Sequence, residues 1–217
     1  MTLSIKDPGS ALTHFIGMIL AGMAAIPLLV LAAKDGGRYA VPALAIFAAS
    51  MILLYGASTT YHTFNISEKV NKVLREIVHM MIFILIAGSY TPICVIPLRD
   101  TVGIPLLILV WAVAIAGMLI KAFWITCPKW FSSTIYIAMG WLCVLAMVPL
   151  VQTLPTAAFI WLVAGGVIYT IGGVIYALKL PLFNAKHQYF GSHEIFHVFV
   201  MAGSLCHYVT MFYIAKM

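Results

Sequence analysis

The sequence predicts an all-α membrane protein, a bundle of seven transmembrane helices that forms one domain over residues 1–217. Its composition supports this class, because 64% of the 217 residues are hydrophobic and only 8% are charged, whereas soluble domains carry about a quarter charged residues. Seven apolar stretches are long enough to cross a bilayer, which takes about 20 helical residues. They lie near residues 11–33, 41–63, 77–97, 103–124, 131–151, 156–178 and 193–215.

Turn-forming residues separate the seven predicted helices. In chain order the breaks are Asp35-Gly36-Gly37, Asn65 to Lys72, Arg99-Asp100, Cys127-Pro128-Lys129, Thr153-Leu154-Pro155 and Leu180 to Gly191. The longest of these loops has about a dozen residues. No separate soluble domain fits into them.

The excess of positive charge predicts the orientation in the membrane. Twelve Lys and Arg residues face six acids, for a net charge of +6, and in a membrane protein such an excess indicates topology rather than affinity for nucleic acid. Eight cations fall on the N-terminal side of the predicted helices: Lys6, Lys69, Lys72, Arg75, Lys121, Lys129, Lys179 and Lys186. Four fall on the opposite side: Lys34, Arg38, Arg99 and Lys216. We therefore expect a cytoplasmic N-terminus and no nucleic-acid partner.

The four cysteines do not suggest a disulfide framework or a thiolate metal site. Cys94, Cys127, Cys143 and Cys206 lie far apart in the sequence and form no C-x-x-C pair. Motifs of that kind need closely spaced cysteines. We expect all four to act as small buried hydrophobic side chains.

A pair of histidines opens the last predicted helix. His193 and His197 are four residues apart, which places them about 40° apart around a helix and about 6 Å along it. Both imidazoles then share one face and can bind one metal ion such as zinc. Ionisable groups inside membrane helices indicate function by default.

The predicted topology brings a third histidine to the same depth. The second helix runs toward the N-terminal side and carries His62 near its end, whereas the last helix starts from that side. Three histidines match a zinc site with an open fourth position, at which water can be activated as a nucleophile. We expect His14 to be a hydrogen-bonded packing residue. His207 lies about 15 Å beyond His197, too far to join the site.

Ser58 lies four residues before His62 and shares its helix face. A serine inside a membrane helix commonly bonds to a backbone carbonyl of its own helix. We expect that role for Ser58 unless another group partners it near the metal.

Motifs along the chain resemble those of the bacterial hemolysin III proteins, which belong with the progestin and adipoQ receptor family. This family includes the adiponectin receptors and is related to alkaline ceramidases. The resemblance covers essentially the whole chain. The motifs are Ser58-x-x-x-His62, Ile86 to Pro92, Met139-Gly140-Trp141, Tyr169 to Gly173, and His193-Glu194-Ile195-Phe196-His197 through His207.

The resemblance implies seven helices, a cytoplasmic N-terminus, and a Zn²⁺ ion near the cytoplasmic side of a bacterial plasma membrane. It assigns zinc ligation to His62, His193 and His197, and it places Ser58 close to the metal-bound water. It also implies that the partners are membrane lipids, such as ceramide or a free fatty acid. Nothing in the sequence predicts the oligomeric state.

Val78 departs from the family pattern. The family usually has an Asp immediately before the histidine that matches His79, and that acid helps to hold the zinc-bound water. Glu76 is about 200° away around the helix, so it cannot simply substitute. Three explanations stay open: hydrolytic competence is lost, another acid serves, or the substitution was introduced on purpose.

The leading functional hypothesis is a membrane zinc hydrolase that acts on a lipid amide such as ceramide, or a lipid-sensing membrane-homeostasis factor. One alternative is a non-catalytic receptor with structural zinc. A cytolytic pore is less favoured, because charged residues are nearly absent from the predicted spans.

The string His193-Glu194-x-x-His197 also matches the zinc peptidase signature, in which the Glu is the general base. Related receptors carry Gln at this position, which indicates that the match is incidental. Ser58 and Glu194 are thus the candidate catalytic residues, and we expect the Glu194 carboxylate to point to solvent.

Overall fold

The computed structural model describes residues 5–178 and 190–217. Within them the chain forms seven helical segments that are long and apolar enough to span a membrane, and no strand. The predicted all-α seven-helix membrane fold is confirmed. Residues 180–189 of the predicted last loop and the cations Lys179 and Lys186 lie outside the described residues.

Eight α-helices make up the seven spans. They are α1 (Pro8–Asp35), α2 (Ala40–Thr63), α3 (Glu68–Val95), α4 (Ile104–Phe123), α5 (Lys129–Gly140), α6 (Met147–Thr153), α7 (Thr156–Leu178) and α8 (Ser192–Ile214). A π-helical turn over Arg99–Gly103 precedes α4, and a 3₁₀ helix over Trp141–Ala146 joins α5 to α6 within the fifth span.

The helices close into a ring. Each of α1, α2 and α3 packs against the helix that follows it, α5 packs against α7, α7 against α8, and α8 returns to α1. Large apolar side chains such as Ile26, Ile108 and Val148 remain exposed on the outer faces, as expected where a helix meets lipid tails of equal apolarity. The closure brings the first and last helices together, with α2 also in contact with α8.

The third helix begins earlier than the sequence predicts. We expected it from residue 77, after a break from Asn65 to Lys72, but α3 starts at Glu68. The side chain of Ser67 accepts a hydrogen bond from the backbone N–H of Val70 at 3.3 Å and so caps the helix. Serine is among the preferred N-cap residues. The polar first turns of α3 therefore extend the helix beyond its apolar part.

The fifth span is interrupted where the sequence predicts a continuous helix. The hydroxyl of Tyr90, on α3, donates to the carbonyl of Gly140 at 2.6 Å and accepts from the N–H of Cys143 at 2.8 Å. A side chain inserted into the hydrogen-bond ladder is an established cause of a helix break. Pro149 adds to it, because its nitrogen cannot donate within the ladder.

The prediction for the cysteines is confirmed in part. All four are free thiols; Cys94, Cys127 and Cys206 are buried, and Cys143 is half-buried. The predicted role as small buried apolar side chains fits Cys94 and Cys206. Cys127 differs, because its Sγ accepts a hydrogen bond from the ammonium of Lys121 at 3.0 Å.

Candidate metal centre

Three histidines from two helices meet at the end of the bundle that carries the N-terminus. His62 lies in the last turn of α2, and His193 and His197 lie in the first two turns of α8. The segment before α1 is fixed beside them, because the N–H of Asp7 donates to the carbonyl of His62 at 2.9 Å. The shared depth that the sequence predicts for these residues is therefore present. We call His62, His193 and His197 the histidine group.

The spacing within the histidine group fits a single metal ion. One ring nitrogen of each residue lies within 4.8 Å of the others. The Nε2 atoms of His62 and His193 are 3.2 Å apart, and a tetrahedral zinc ion with Zn–N bonds near 2.0–2.1 Å separates two ligand nitrogens by about 3.3 Å. His62 and His197 are buried, and His193 is half-buried. The donor set is therefore one that zinc favours.

A carboxylate fixes the orientation of His62. Its Nδ1 lies 2.9 Å from Oδ2 of Asp7. A carboxylate only accepts hydrogen bonds, so Nδ1 carries the proton and donates it. In the neutral imidazole, Nε2 then keeps its lone pair and faces His193. Histidines that bind metals commonly donate their other ring N–H to such a partner.

Thr13 fixes the orientation of His197 in a similar way. The hydroxyl of Thr13 donates to the carbonyl of Ser10 at 3.0 Å. Its one proton is thereby used, so its oxygen accepts from Nδ1 of His197 at 3.1 Å. The lone pair of His197 is then on Nε2. Contacts from Asp7 and Thr13 thus leave Nε2 as the nitrogen of His62 and His197 that can bind a metal.

The histidine group lies on the wall of a cavity of about 340 Å³. Most of its lining is apolar or aromatic, including Leu54, Ile82 and Ile86, and it extends to Trp141 in the interrupted fifth span. Cavities that bind small molecules typically combine apolar walls with a few polar groups. The cavity beside the histidines therefore has the volume and composition of a small-molecule site.

Ser58 lines the cavity and does not bond to its own helix. Its side chain is fully buried, yet Oγ has no hydrogen-bond partner among the described residues. Its neighbour Thr59 donates to the carbonyl of Tyr55 at 2.8 Å, and Ser89 donates to Leu85 at 2.8 Å. The expectation of a carbonyl bond for Ser58 is therefore wrong, and its hydroxyl is available to a ligand.

Val78 faces the same cavity, so the position expected to hold an acid does meet the site. Glu76 does not replace that acid, because its carboxylate lies 3.9 Å from the ammonium of Lys72 and it is absent from the lining. Among the described residues, the cavity wall contains no Asp or Glu.

Glu194 does not point to solvent, contrary to our expectation. Its Oε1 accepts a hydrogen bond from the hydroxyl of Ser10, and its Oε2 accepts from the N–H of Gly191 at 2.8 Å. The carboxylate therefore caps the start of α8 and joins it to α1. Glu194 is not among the residues that line the cavity, so the structure does not bring this candidate catalytic residue to the site.

Three other histidines, His14, His79 and His207, line the cavity without joining the group. The ring of His14 stacks on that of His197, with centroids 3.6 Å apart, but neither ring nitrogen of His14 has a hydrogen-bond partner among the described residues. Our expectation of packing was right, and that of a hydrogen bond was wrong. His79 donates from Nδ1 to the carbonyl of Arg75 at 2.7 Å. His207 lines the cavity against Gly165 but lies outside the metal-ligand cluster.

Sequence reasoning missed Asp7, Thr13 and Ser133. Ser133 is buried on the cavity wall, and its hydroxyl has no partner among the described residues. A signal for the first two was present: Asp7, Ser10, Thr13 and His14 recur at helical spacing at the start of an otherwise apolar helix. With His62 and His193 expected at the same depth, that polar stripe predicts contact with them.

Similar proteins cover nearly the whole chain. The family described as "Haemolysin-III related" matches residues 4–208. A hemolysin-3 homolog of Bacillus subtilis is 37% identical over 213 residues, which is 97% of this chain and 95% of the relative. Hemolysin-3 of Bacillus cereus is 37% identical over 216 residues, 99% of this chain and 94% of the relative. An adiponectin receptor protein of Drosophila melanogaster is 41% identical over 51 residues, 22% of this chain and 12% of that protein. The chain therefore belongs to the haemolysin-III related family.

Proposed function

We propose that this protein binds one zinc ion through His62, His193 and His197 and slowly hydrolyses the amide bond of a membrane lipid. One observation supports the metal part above all others. The contacts from Asp7 and Thr13 leave the lone pairs of two buried histidines on Nε2, within 4.8 Å of the third donor, and Nε2 of His62 already lies 3.2 Å from Nε2 of His193. Such an arrangement of lone pairs favours a cation at their centre.

Bound zinc would supply a Lewis acid and an activated water. The chain's own residues contribute the rest of the site. Asp7 and Thr13 hold two of the histidine rings, and most of the cavity wall beside them is apolar or aromatic. The hydroxyl of Ser58 is buried and has no partner among the described residues, so it is available to donate a hydrogen bond to the amide carbonyl. Donors fixed in advance toward developing charge are a major source of catalysis.

The lack of a carboxylate explains why we propose slow hydrolysis. A positioned acid or base typically contributes 10²–10⁴-fold to a rate, and the described part of the cavity wall has none. The same observation favours a second candidate, a non-catalytic lipid receptor in which zinc orders the end of the bundle. The two candidates differ in a single measurable property, which is turnover.

Ceramide hydrolysis tests the proposal. We expect purified protein in neutral detergent to release fatty acid from ceramide slowly, and we expect His197→Ala to abolish the release. Glu194→Gln serves as the comparison, because the amide can still accept the bond from Gly191. An unaffected rate in Glu194→Gln supports the proposal. Release that survives His197→Ala contradicts it, and loss only in Glu194→Gln favours a peptidase-like base. Zinc binding without any release identifies the receptor.

We further propose that the N-terminus is cytoplasmic and that the protein lies in the cell membrane. Six of the cations counted on the N-terminal side are among the described residues, against four on the other side. Positive residues concentrate in cytoplasmic loops. A reporter that is active only in the cytoplasm should be silent when fused after Met217. Strong activity would place the histidine group at the outer face.

A further inference from the structure

A lysine is buried where α4 turns into α5. Lys121, in the last turn of α4, is 2% exposed, and among the described residues it is the only Lys, Arg, Asp or Glu that is buried. A buried charge is costly unless it is paired with an opposite charge. The ion pairs formed by the described residues do not include Lys121. Its ammonium therefore has no carboxylate partner among them.

A thiol and a hydroxyl accept hydrogen bonds from this lysine. The ammonium of Lys121 donates to Sγ of Cys127 at 3.0 Å and to Oγ of Ser132. The two acceptors also contact each other, with Sγ and Oγ 3.2 Å apart. Cys127 lies in the turn between the two helices, and Ser132 lies near the start of α5. We call these three residues the thiol cluster.

The sulfur is the atom of the thiol cluster that can react. The nucleophilic form of a cysteine is the thiolate, and a neighbouring cation favours it. Loss of the sulfur's proton would also give the buried ammonium an anionic partner. In the described part of the chain, no Lys or Arg forms a hydrogen bond with the thiol of Cys94, Cys143 or Cys206. Cys127 thus differs chemically from the other three cysteines.

A small oxidant can reach this sulfur from the turn. Cys127 is 5% exposed, but Thr126 and Pro128 on either side of it are exposed. The turn is held by a hydrogen bond from the N–H of Cys127 to the carbonyl of Trp124 at 3.3 Å. Segments with few such bonds open locally at a low cost in free energy. Cys127 is therefore more accessible to a transient visitor than a cysteine within a helix.

We infer that Cys127 and Lys121 form a redox-sensitive pair, in which a peroxide oxidises the thiol and the sulfur then bonds to Nζ of the lysine. Hydrogen peroxide first converts the thiol to a sulfenic acid and is reduced to water, so that the sulfur loses two electrons. Lys121 then releases one proton to solvent, and its neutral amine attacks the sulfur. The S–OH bond breaks, and the hydroxyl leaves as water with a second proton from the amine. The product is a sulfenamide.

The bond is reversible. An added dithiol reduces the sulfenamide to the original thiol and amine and is itself oxidised to a disulfide. The sulfenamide would join the last turn of α4 to the turn that precedes α5, so the oxidised chain would have a covalent link where the reduced chain has a hydrogen bond. This inference does not depend on the proposed function, because none of the residues of the thiol cluster belongs to the histidine group.

Peptide mapping by mass spectrometry tests the inference on purified full-length protein in neutral detergent. After brief treatment with hydrogen peroxide, we expect the peptide that contains Lys121 and Cys127 to be about 2 Da lighter than its reduced form. Trypsin should no longer cleave after Lys121, and dithiothreitol should restore the cleavage. Cys143 is more exposed, but it should react about tenfold more slowly, because no cation contacts its sulfur.

Variants of the thiol cluster separate activation of the sulfur from formation of the bond. Lys121→Arg keeps a positive charge, but a guanidinium does not lose its proton in proteins, so we expect oxidation to stop at a sulfenic acid that dimedone traps. Lys121→Met removes the charge and should slow oxidation of Cys127 about tenfold. Ser132→Ala is the matched control, because it leaves the contact between Nζ and Sγ intact, and it should still form the bond.

Two results would overturn the inference. One is oxidation of Cys127 that is no faster than that of Cys143. The other is oxidised Cys127 in protein that trypsin still cleaves after Lys121, which would show that no bond forms. Both are measured on the unaltered chain, so they decide the matter even if a variant fails to fold.

Discussion

The cavity has two unlike walls. On one side lies the histidine group. Asp7 and Thr13 hold Nδ1 of His62 and His197, so the lone pairs of these two rings are on Nε2. On the other side α3 contributes Val78 and Arg75, and among the described residues the lining contains no Asp or Glu. The first wall offers nitrogen atoms that suit a bound cation, whereas the second offers no carboxylate that could act as a base.

The difference shows how much α1 contributes to the first wall. Besides Asp7 and Thr13, Ser10 of α1 donates to Glu194, and the ring of His14 stacks on His197. None of these residues is a metal ligand in the described cluster. The α1 end therefore fixes the orientation of two members of the histidine group.

Removal of a ligand should produce the largest effect. His197→Ala removes one of three donor nitrogens, and we expect the purified protein to lose stoichiometric zinc completely. The matched control is His207→Gln, which changes another cavity-lining histidine outside the cluster and should keep about one zinc per chain. Metal analysis after gel filtration measures both. Equal zinc in the two variants would remove the distinction between the histidine group and the other histidines.

Removal of the carboxylate behind His62 should produce the next largest effect. We expect Asp7→Ala to weaken zinc binding about 10–100-fold, as loss of a partner behind a ligand histidine typically does. Competition with a calibrated zinc chelator measures the affinity. Asp35→Ala, which changes an acid at the opposite end of the same helix, should leave the affinity unchanged. The same loss in both variants would indicate a general charge effect.

An acid added at position 78 should supply the carboxylate that the described part of the cavity wall lacks. We expect Val78→Asp to raise the rate of ceramide hydrolysis about tenfold or more, because the cavity gains a proton acceptor. Zinc content should stay unchanged, because position 78 is not in the histidine group.

Val78→Asn separates charge from shape in that experiment. The amide is similar in size to the carboxylate but carries no charge, so it should raise the rate of ceramide hydrolysis less. If both substitutions act equally, the missing acid does not account for slow hydrolysis.

Substitution of Ser58 or Ser89, two serines in the cavity wall, should produce the smallest effects, and the effect on stability should differ between them. We expect Ser89→Ala to lower stability by about 1 kcal/mol, because Ser89 donates to Leu85 and a typical hydrogen bond contributes that amount. Ser58→Ala removes a hydroxyl that has no partner among the described residues, so it should leave stability unchanged while it lowers the rate of ceramide hydrolysis. Thermal unfolding in detergent measures the first property. Equal destabilisation would mean that Ser58 has a structural partner after all.

The sequence predicted the spans and the meeting of the histidines, because both depend on hydrophobic length and chain direction. Seven apolar stretches place the end of α2 and the start of α8 on one side of the membrane, whatever the side-chain details. The break in the fifth span was not predictable in this way, since it depends on a tertiary contact from Tyr90 to the backbone of Gly140 and Cys143.

The surroundings of the histidines were predictable only in part. The polar stripe of α1 was visible in the sequence, but the choice of Asp7 for His62 and Thr13 for His197 depends on how α1 packs between α2 and α8. Arg75 and Lys129 were counted as loop charges that set the topology. Their place in the cavity wall follows from the approach of α3 and α5, which no local pattern reveals.

X-ray absorption at the zinc edge of the purified protein tests whether the histidine group binds zinc. We expect about one zinc per chain, bound by three imidazole nitrogens at about 2.0–2.1 Å with no sulfur ligand. In His62→Ala the imidazole signal should disappear together with the metal. Zinc bound through sulfur, or stoichiometric zinc retained in His62→Ala, would show that these three histidines do not hold the metal.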